Sequence, residues 1–176
     1  LSVKSMLSLS VNGLKSYEKL VKSMPDAANQ AAVLAINFGV DKARIEGSKI
    51  VRGKVRLSKA YVDSGFKVFK ARPGNLIAVL SARQRPTSFA RYSAGSARKR
   101  GVRVTITPGR SRVALRLKKG EMVQAKKIPF SAGDSGLVLL YGPSVDQVFS
   151  SSREAVIGRV EPLMNREFIR QFNRLI

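Results

Sequence analysis

Val102-Arg103-Val104-Thr105-Ile106-Thr107, then Pro108-Gly109, then Arg112-Val113-Ala114-Leu115-Arg116-Leu117-Lys118 is the stretch from which the fold is read. In its first arm Val102, Val104 and Ile106 alternate with Arg103, Thr105 and Thr107. That period of two belongs to a strand, whose successive side chains point to opposite faces. Pro108-Gly109 supplies the turn. In the second arm Val113, Leu115 and Leu117 alternate with Arg112, Ala114, Arg116 and Lys118. The pattern predicts a β-hairpin with these six apolar residues on one face and Arg103, Arg112, Arg116 and Lys118 on the other.

Upstream, Leu76 to Ala82 is a short apolar run, predicting a strand buried on both faces. Pro73-Gly74-Asn75 reads as a turn before it. Phe66 to Lys70 reads as another strand, and Leu57 to Asp63 as a helical turn leading into it. Between the apolar run and the hairpin lie 18 residues, Arg83 to Arg100, with six basic groups and little periodicity. Loops of that length inside a domain are usually functional or disordered. Downstream, Leu137 to Tyr141 predicts a buried strand ended by Gly142-Pro143. Ser151-Ser152-Arg153-Glu154 has the form of a capping box. Val156, Val160, Met164, Phe168, Phe172 and Leu175 then follow helical spacing, and Pro162 either kinks this helix or begins a second one.

The N-terminal part reads as a strand over Val3 to Val11, closed by Asn12-Gly13, and a helix over Leu14 to Met24. Pro25-Asp26 starts a longer helix, because Pro is tolerated in a first turn and Asp suits the positive helix end. Ala27, Ala31, Leu34, Phe38 and Ile45 mark its apolar face, and Ala27, Ala28, Ala31, Ala32 and Ala35 would allow close packing. That stripe reads as a core face, with an oligomer seam as the alternative. There is no internal repeat and no low-complexity linker. The expectation is one α+β domain over residues 1–176: a mainly antiparallel sheet packed with N-terminal helices and a C-terminal helix, with a long basic loop at 83–100.

Charge is distributed unevenly. Between Asp63 and Glu121 there is no acidic residue, and 15 of those 57 residues are Lys or Arg. Residues 1–63 carry 11 basic and 5 acidic groups and residues 121–176 carry 7 and 6, so +15 of the net +22 sits in the middle third. An ordinary solvated face mixes both signs. One sign alone points to phosphates or another polyanion.

Catalytic parts are scarce. Cys and His are both absent, which excludes thiolate nucleophiles, disulfides, the common zinc and iron sites and the usual base near neutral pH. The 11 acids are scattered, no two closer than five residues apart. No enzyme, cofactor or metal is expected. There is no run of 18 apolar residues and no signal-peptide pattern, so no membrane partner is expected either. The first residue is Leu, which leaves room for missing or processed sequence before it.

The loop interleaves Phe89 and Tyr92 with arginines, a combination that grips nucleic acid by charge and stacking. A solvated loop that orders against a partner subunit is the competing reading. No zinc finger, recognition helix or aromatic RNA-binding strand is present, so contact would be with the phosphate backbone of double-stranded DNA and independent of sequence. Gly95-Ser96-Ala97-Arg98-Lys99 has too few glycines for a phosphate cradle. The candidate DNA-facing residues are Arg83, Arg85, Arg91, Arg98, Lys99 and Arg100 of the loop with Arg103, Arg112, Arg116 and Lys118 of the hairpin.

Leu140-Tyr141-Gly142-Pro143-Ser144-Val145-Asp146-Gln147-Val148-Phe149 carries no evident chemistry. It resembles the signature of the minor tail protein Z family of tailed phages and prophages. Leu57-Ser58-Lys59-Ala60-Tyr61-Val62, Arg85-Pro86-Thr87-Ser88-Phe89-Ala90-Arg91-Tyr92 and Arg166-Glu167-Phe168 agree with it in order, so the likeness runs over roughly residues 57–176. It implies a virion component of the tail or neck, made in the host cytoplasm. Such a protein forms a ring, a hexamer being favoured, at the head-proximal end of the tail. It serves tail completion, head–tail joining and passage or positioning of the genome, beside tail-terminator and other tail and neck proteins. From pattern alone, Tyr141, Pro143, Val145, Phe149, Phe168 and Phe172 are candidate subunit contacts, with core packing as the competing explanation. The functional alternatives are a stand-alone, sequence-non-specific nucleic-acid-binding protein, and a tail protein whose basic surface meets acidic neighbours.

Overall fold

The computed structural model describes Met6–Leu7 and residues 23–88, 91–94, 102–118, 121–124 and 141–176. Helix α1 (Pro25–Lys54) begins with Pro at its first position and Asp26 in its first turn. Its 30 residues extend about 45 Å at ~1.5 Å per residue. Arg52 and Lys54 lie in the last turn, against the negative end of the helix, before Val55 turns extended.

The buried face of α1 is Ala28, Ala31, Ala35, Ile36, Gly39, Val40, Ala43, Gly47, Ser48 and Val51. This corrects the sequence reading, since Leu34 and Ile45 are 46% and 43% exposed. Small residues mark the true face because a second long helix lies backbone-close against them. After β9 (Tyr141–Gly142) and α3 (Val145–Ser150) comes that helix, α4 (Arg153–Leu175). It runs antiparallel to α1: Glu46 meets Arg159, and Gly39 meets Met164. A Cβ on Gly39 would stand 2.9 Å from the Met164 sulfur.

Helix α4 buries Val156, Val160, Met164, Phe168 and Phe172 as its spacing predicts, while Leu175 is exposed. It passes through Pro162 as one helix. Pro162 and Gly158, the residue four back, are both exposed, so the carbonyl deprived of its donor can reach water. The predicted capping box at Ser151 and Glu154 does not form. The Ser151 and Ser152 hydroxyls instead donate to the Val148 carbonyl at 2.8 and 3.2 Å, closing the end of α3. A capping box exists one helix earlier, where Ser144 and Gln147 exchange hydrogen bonds at 3.1 and 3.0 Å.

Under the helices, α2 (Lys59–Ser64) leads into β2 (Phe66–Phe69), which pairs antiparallel with β3 (Val79–Ala82). Strand β1 (Met6–Leu7) takes the other side of β3, giving the order β1-β3-β2. The rest of the Val3–Val11 expectation, residues 14–22 of the first predicted helix and residues 137–140 lie outside the described residues. Gly74 adopts φ 84° in the β2–β3 turn, a conformation that favours glycine. The turn is fastened to α1, where the Asn37 carboxamide donates to the Ala71 carbonyl at 3.1 Å and accepts from its N–H at 2.8 Å. The strand expected from Leu76 starts only at Val79, and Leu76 and Ile77 are 39% and 61% exposed. They belong to the turn, which an apolar run alone does not reveal.

The long basic loop contains β4 (Thr87–Ser88), paired with β9, and β5 (Ser93–Ala94). Strand β5 edges a four-stranded sheet with β6 (Val102–Thr107), β7 (Arg110–Lys118) and β8 (Glu121–Gln124), in the order β5-β6-β7-β8. The fold class is α+β, with antiparallel pairing throughout.

Candidate functional site

Three of the motifs singled out in the sequence close on one another in space. Tyr92 is buried, and its hydroxyl donates to the Pro143 carbonyl at 2.7 Å. Its backbone forms an isolated β-bridge with Leu57. Strand β4 aligns Thr87 with Gly142 and Ser88 with Tyr141. The Tyr61 hydroxyl donates to Thr87 Oγ1 at 3.4 Å, and Thr87 is fully buried. Gly142 is required by contact: a Cβ there would stand 2.8 Å from the Tyr92 ring and hydroxyl. Residues 57–62, 85–88, 91–92 and 141–149 thus meet at a tyrosine clamp.

Burial pushes the Tyr92 phenol up to about 12, with the Thr87 hydroxyl partly offsetting it and Tyr61 adding to it. At neutral pH Tyr92 is therefore a neutral donor, a fastening rather than a chemical group. The clamp rests on the core beside it. Val145 and Phe149 of α3 are buried, Phe149 sets its ring edge-on to Phe66 at 5.2 Å between centroids, and Gly47 leaves room for it.

Around the clamp stand exposed cations. Arg91 lies over the Tyr61 ring, 5.5 Å from its centroid, a geometry that holds a guanidinium in place. Arg83 is fixed by its backbone, its N–H donating to Gly65 at 2.8 Å and its carbonyl accepting from Asp146 N–H at 3.2 Å. Arg85 precedes β4, and Lys59 opens α2. The Arg56 N–H donates to the Ile106 carbonyl at 2.8 Å, tying β6 to the same place. All five side chains are exposed.

Elsewhere in the fold some cations are paired. There Lys49 and Arg159 share Glu46, Lys70 meets Asp41, and Arg170 meets Glu167. Among the described residues none of Arg56, Lys59, Arg83, Arg85 and Arg91 forms an ion pair. Two carboxylates of neighbouring elements are engaged elsewhere. Asp63 accepts the Ser48 hydroxyl at 2.5 Å. Burial raises Asp146 while the Arg153 charge opposes that shift.

The candidate DNA-facing residues divide three ways. Arg83, Arg85 and Arg91 gather around the clamp. Arg98, Lys99 and Arg100 lie outside the described residues. Arg103, Arg112, Arg116 and Lys118 lie on β6 and β7, whose ladder aligns Val104 with Arg112 and Arg103 with Val113, with register shifts at Val102/Arg103 and Thr105/Thr107. At the far edge the ladder sets Lys118 opposite Glu121.

Of the candidate subunit contacts, Val145, Phe149, Phe168 and Phe172 are core residues, all less than 5% exposed. The competing explanation applies to them, because amphipathic spacing cannot separate a face covered by the chain's own helices from one covered by a neighbour. Pro143 is half-buried and held by Tyr92. Tyr141 alone of the six is open, at 48% exposure. Sequence reasoning missed Arg56 and Lys59, which fall outside the acid-free stretch. Their signal was position, on either side of Leu57-Ser58 in one of the motifs.

Compared with known protein families, curated proteins and solved structures, the chain matches none. Among the described residues no helix is long and apolar enough to cross a membrane, and no three acidic side chains gather as metal ligands.

Proposed function

We propose that this chain is a structural subunit of a phage tail or head–tail neck. It forms a ring at the head-proximal end of the tail, serves tail completion and head–tail joining, and lies beside the path of the genomic DNA. The observation that carries this reading is the tyrosine clamp. The three stretches with the strongest likeness to the tail-protein family are far apart in sequence, yet they fasten one another through Tyr92, Thr87, Gly142 and Pro143. Ordered motifs that jointly build one substructure support a shared fold.

In this role the protein carries no reaction. It acts by shape and charge, with itself, tail-terminator and neck proteins as partners and backbone contacts to double-stranded DNA. Removing the gene from a phage that carries it should leave tails that do not join filled heads. Imaging of complete particles should find the protein as a closed ring at the head-proximal tail end. Particles that assemble normally without it would overturn the reading.

The exposed, unpaired cations favour a second reading, a sequence-non-specific nucleic-acid-binding protein that works outside any virion. A protein that stays monomeric at high concentration and joins no particle, while binding duplex DNA tightly, would select it.

A further inference from the structure

We infer that the phosphate-contacting surface of this chain is the rim of the tyrosine clamp, formed by Arg56, Lys59, Arg83, Arg85 and Arg91, and that its ligand is the backbone of double-stranded DNA. The inference rests on the DNA-facing part of the proposal above and not on tail assembly. The acid-free stretch of sequence suggested both the 83–100 loop and the β6–β7 hairpin as DNA-facing. The structure shifts the weight for three reasons.

First, the five cations come from separate segments that the fold draws to one place. Arg56 and Lys59 flank the segment bridged to Tyr92, Arg91 lies over Tyr61, Arg83 is bonded to Gly65 and Asp146, and Arg85 leads into β4. Second, their charge is not spent internally. Lys49, Lys70, Arg159 and Arg170 each meet a carboxylate; among the described residues Arg44, Arg166 and Arg174 of the helices do not, and the rim cations meet none. Third, part of the rim is held before any ligand arrives, because Arg91 rests on Tyr61 and the Arg83 backbone is bonded on both sides. Side chains ordered in advance lose less freedom on binding.

Duplex DNA fits this surface better than a single phosphate group does. The cations are exposed and spread over several segments, as suits a charged line rather than a pocket. Nothing at the rim is arranged to read bases.

The test is binding of the purified full chain to a short duplex of random sequence, by fluorescence anisotropy, between about 50 and 200 mM salt. Each phosphate contact contributes roughly 0.9 to the slope of log affinity against log salt. The variant R56Q/K59Q/R83Q/R85Q/R91Q should show a slope shallower by up to about 4.5. A body variant, K49Q/K70Q/R159Q/R170Q, should keep the wild-type slope. The lysine-retaining variant R56K/R83K/R85K/R91K should stay within about one contact of wild type. If the five-site variant does not fold, Arg85→Gln and Lys59→Gln singly should each lower the slope by roughly 0.9.

An unchanged slope in the rim variants, or an equal loss in the body variant, would overturn the inference. So would a rim variant that binds DNA normally yet fails in tail joining, which would set the rim against an acidic protein and leave the tail proposal standing. Rim-dependent DNA binding by a protein that no particle requires would sink the tail proposal and leave this inference intact.

Discussion

Tyr92 joins hydrogen bonding, burial and charge in one side chain. Its hydroxyl satisfies the Pro143 carbonyl, and removing a donor from a buried acceptor costs about 1–3 kcal/mol. Tyr92→Phe should lower stability by about that amount, read by urea unfolding near neutral pH. The pH dependence has a definite sign. Burial raises the folded phenol from 10.0 to about 12, so the folded state favours the neutral form. That stabilisation is fully present below the unfolded value and is lost as pH rises through the folded one. Wild type should lose stability between pH 10 and 12, and Tyr92→Phe should lose less over the same window. A parallel decline in both proteins would remove Tyr92 as the source.

At the scale of the element, α1 offers an internal comparison between glycines. Gly53 has open space around its missing Cβ, Gly39 faces the flexible Met164 thioether, and Gly47 faces the Phe149 ring at 2.8 Å. Helix propensity alone favours Ala over Gly by ~0.8–1 kcal/mol. Gly53→Ala should gain a few tenths to about 1 kcal/mol. At Gly39 the methionine can shift, so gain and crowding should nearly cancel. At Gly47 the ring is fully buried and edge-on to Phe66, and overpacking should cost about 1–3 kcal/mol. Thermal melts should rank the variants Gly53→Ala, Gly39→Ala, Gly47→Ala from most to least stable.

The same helix explains where the sequence was legible. Pro25-Asp26 marked its start, and the stripe from Val156 to Phe172 marked its partner, because both signals are local. Which face of α1 is buried depended on how closely α4 approaches. That is a tertiary property, and it favoured Ala and Gly over Leu34 and Ile45. The β6–β7 hairpin was legible as a hairpin from its alternation and its Pro-Gly turn. Its register shifts were not, because an extra residue in a ladder leaves no mark in an alternating pattern. Of the candidate site, the arginines of residues 83–91 were visible as charge. Arg56 and Lys59 were not, since only the closure of the clamp brings them beside those arginines.

For the whole molecule the governing quantity is a net charge of +22. Such a charge works against the compact state by self-repulsion. The four exposed ion pairs among the described residues are worth at most about 1 kcal/mol each. Salt weakens both effects, and the repulsion, summed over many uncompensated cations, is the larger. Melting temperature should therefore rise between low salt and about 0.5 M salt, where the screening length falls toward ~4 Å. Each kcal/mol of relieved repulsion would appear as about 2–4 °C in a chain of this size. A melting temperature that falls with salt would mean that the ion pairs dominate.

The antiparallel helix pair also bears on synthesis at the ribosome. Helix α1 emerges from the ribosome well before α4, the partner that covers its alanine and glycine face. The Tyr92–Pro143 bond likewise waits for a residue 51 positions further along the chain. A nascent chain stalled before Arg153 presents a long amphipathic helix with its apolar stripe uncovered, beside an acid-free basic segment. That intermediate is the form most exposed to chaperones, proteases and stray polyanions, so the emergence of α4 is the step that closes the helix pair.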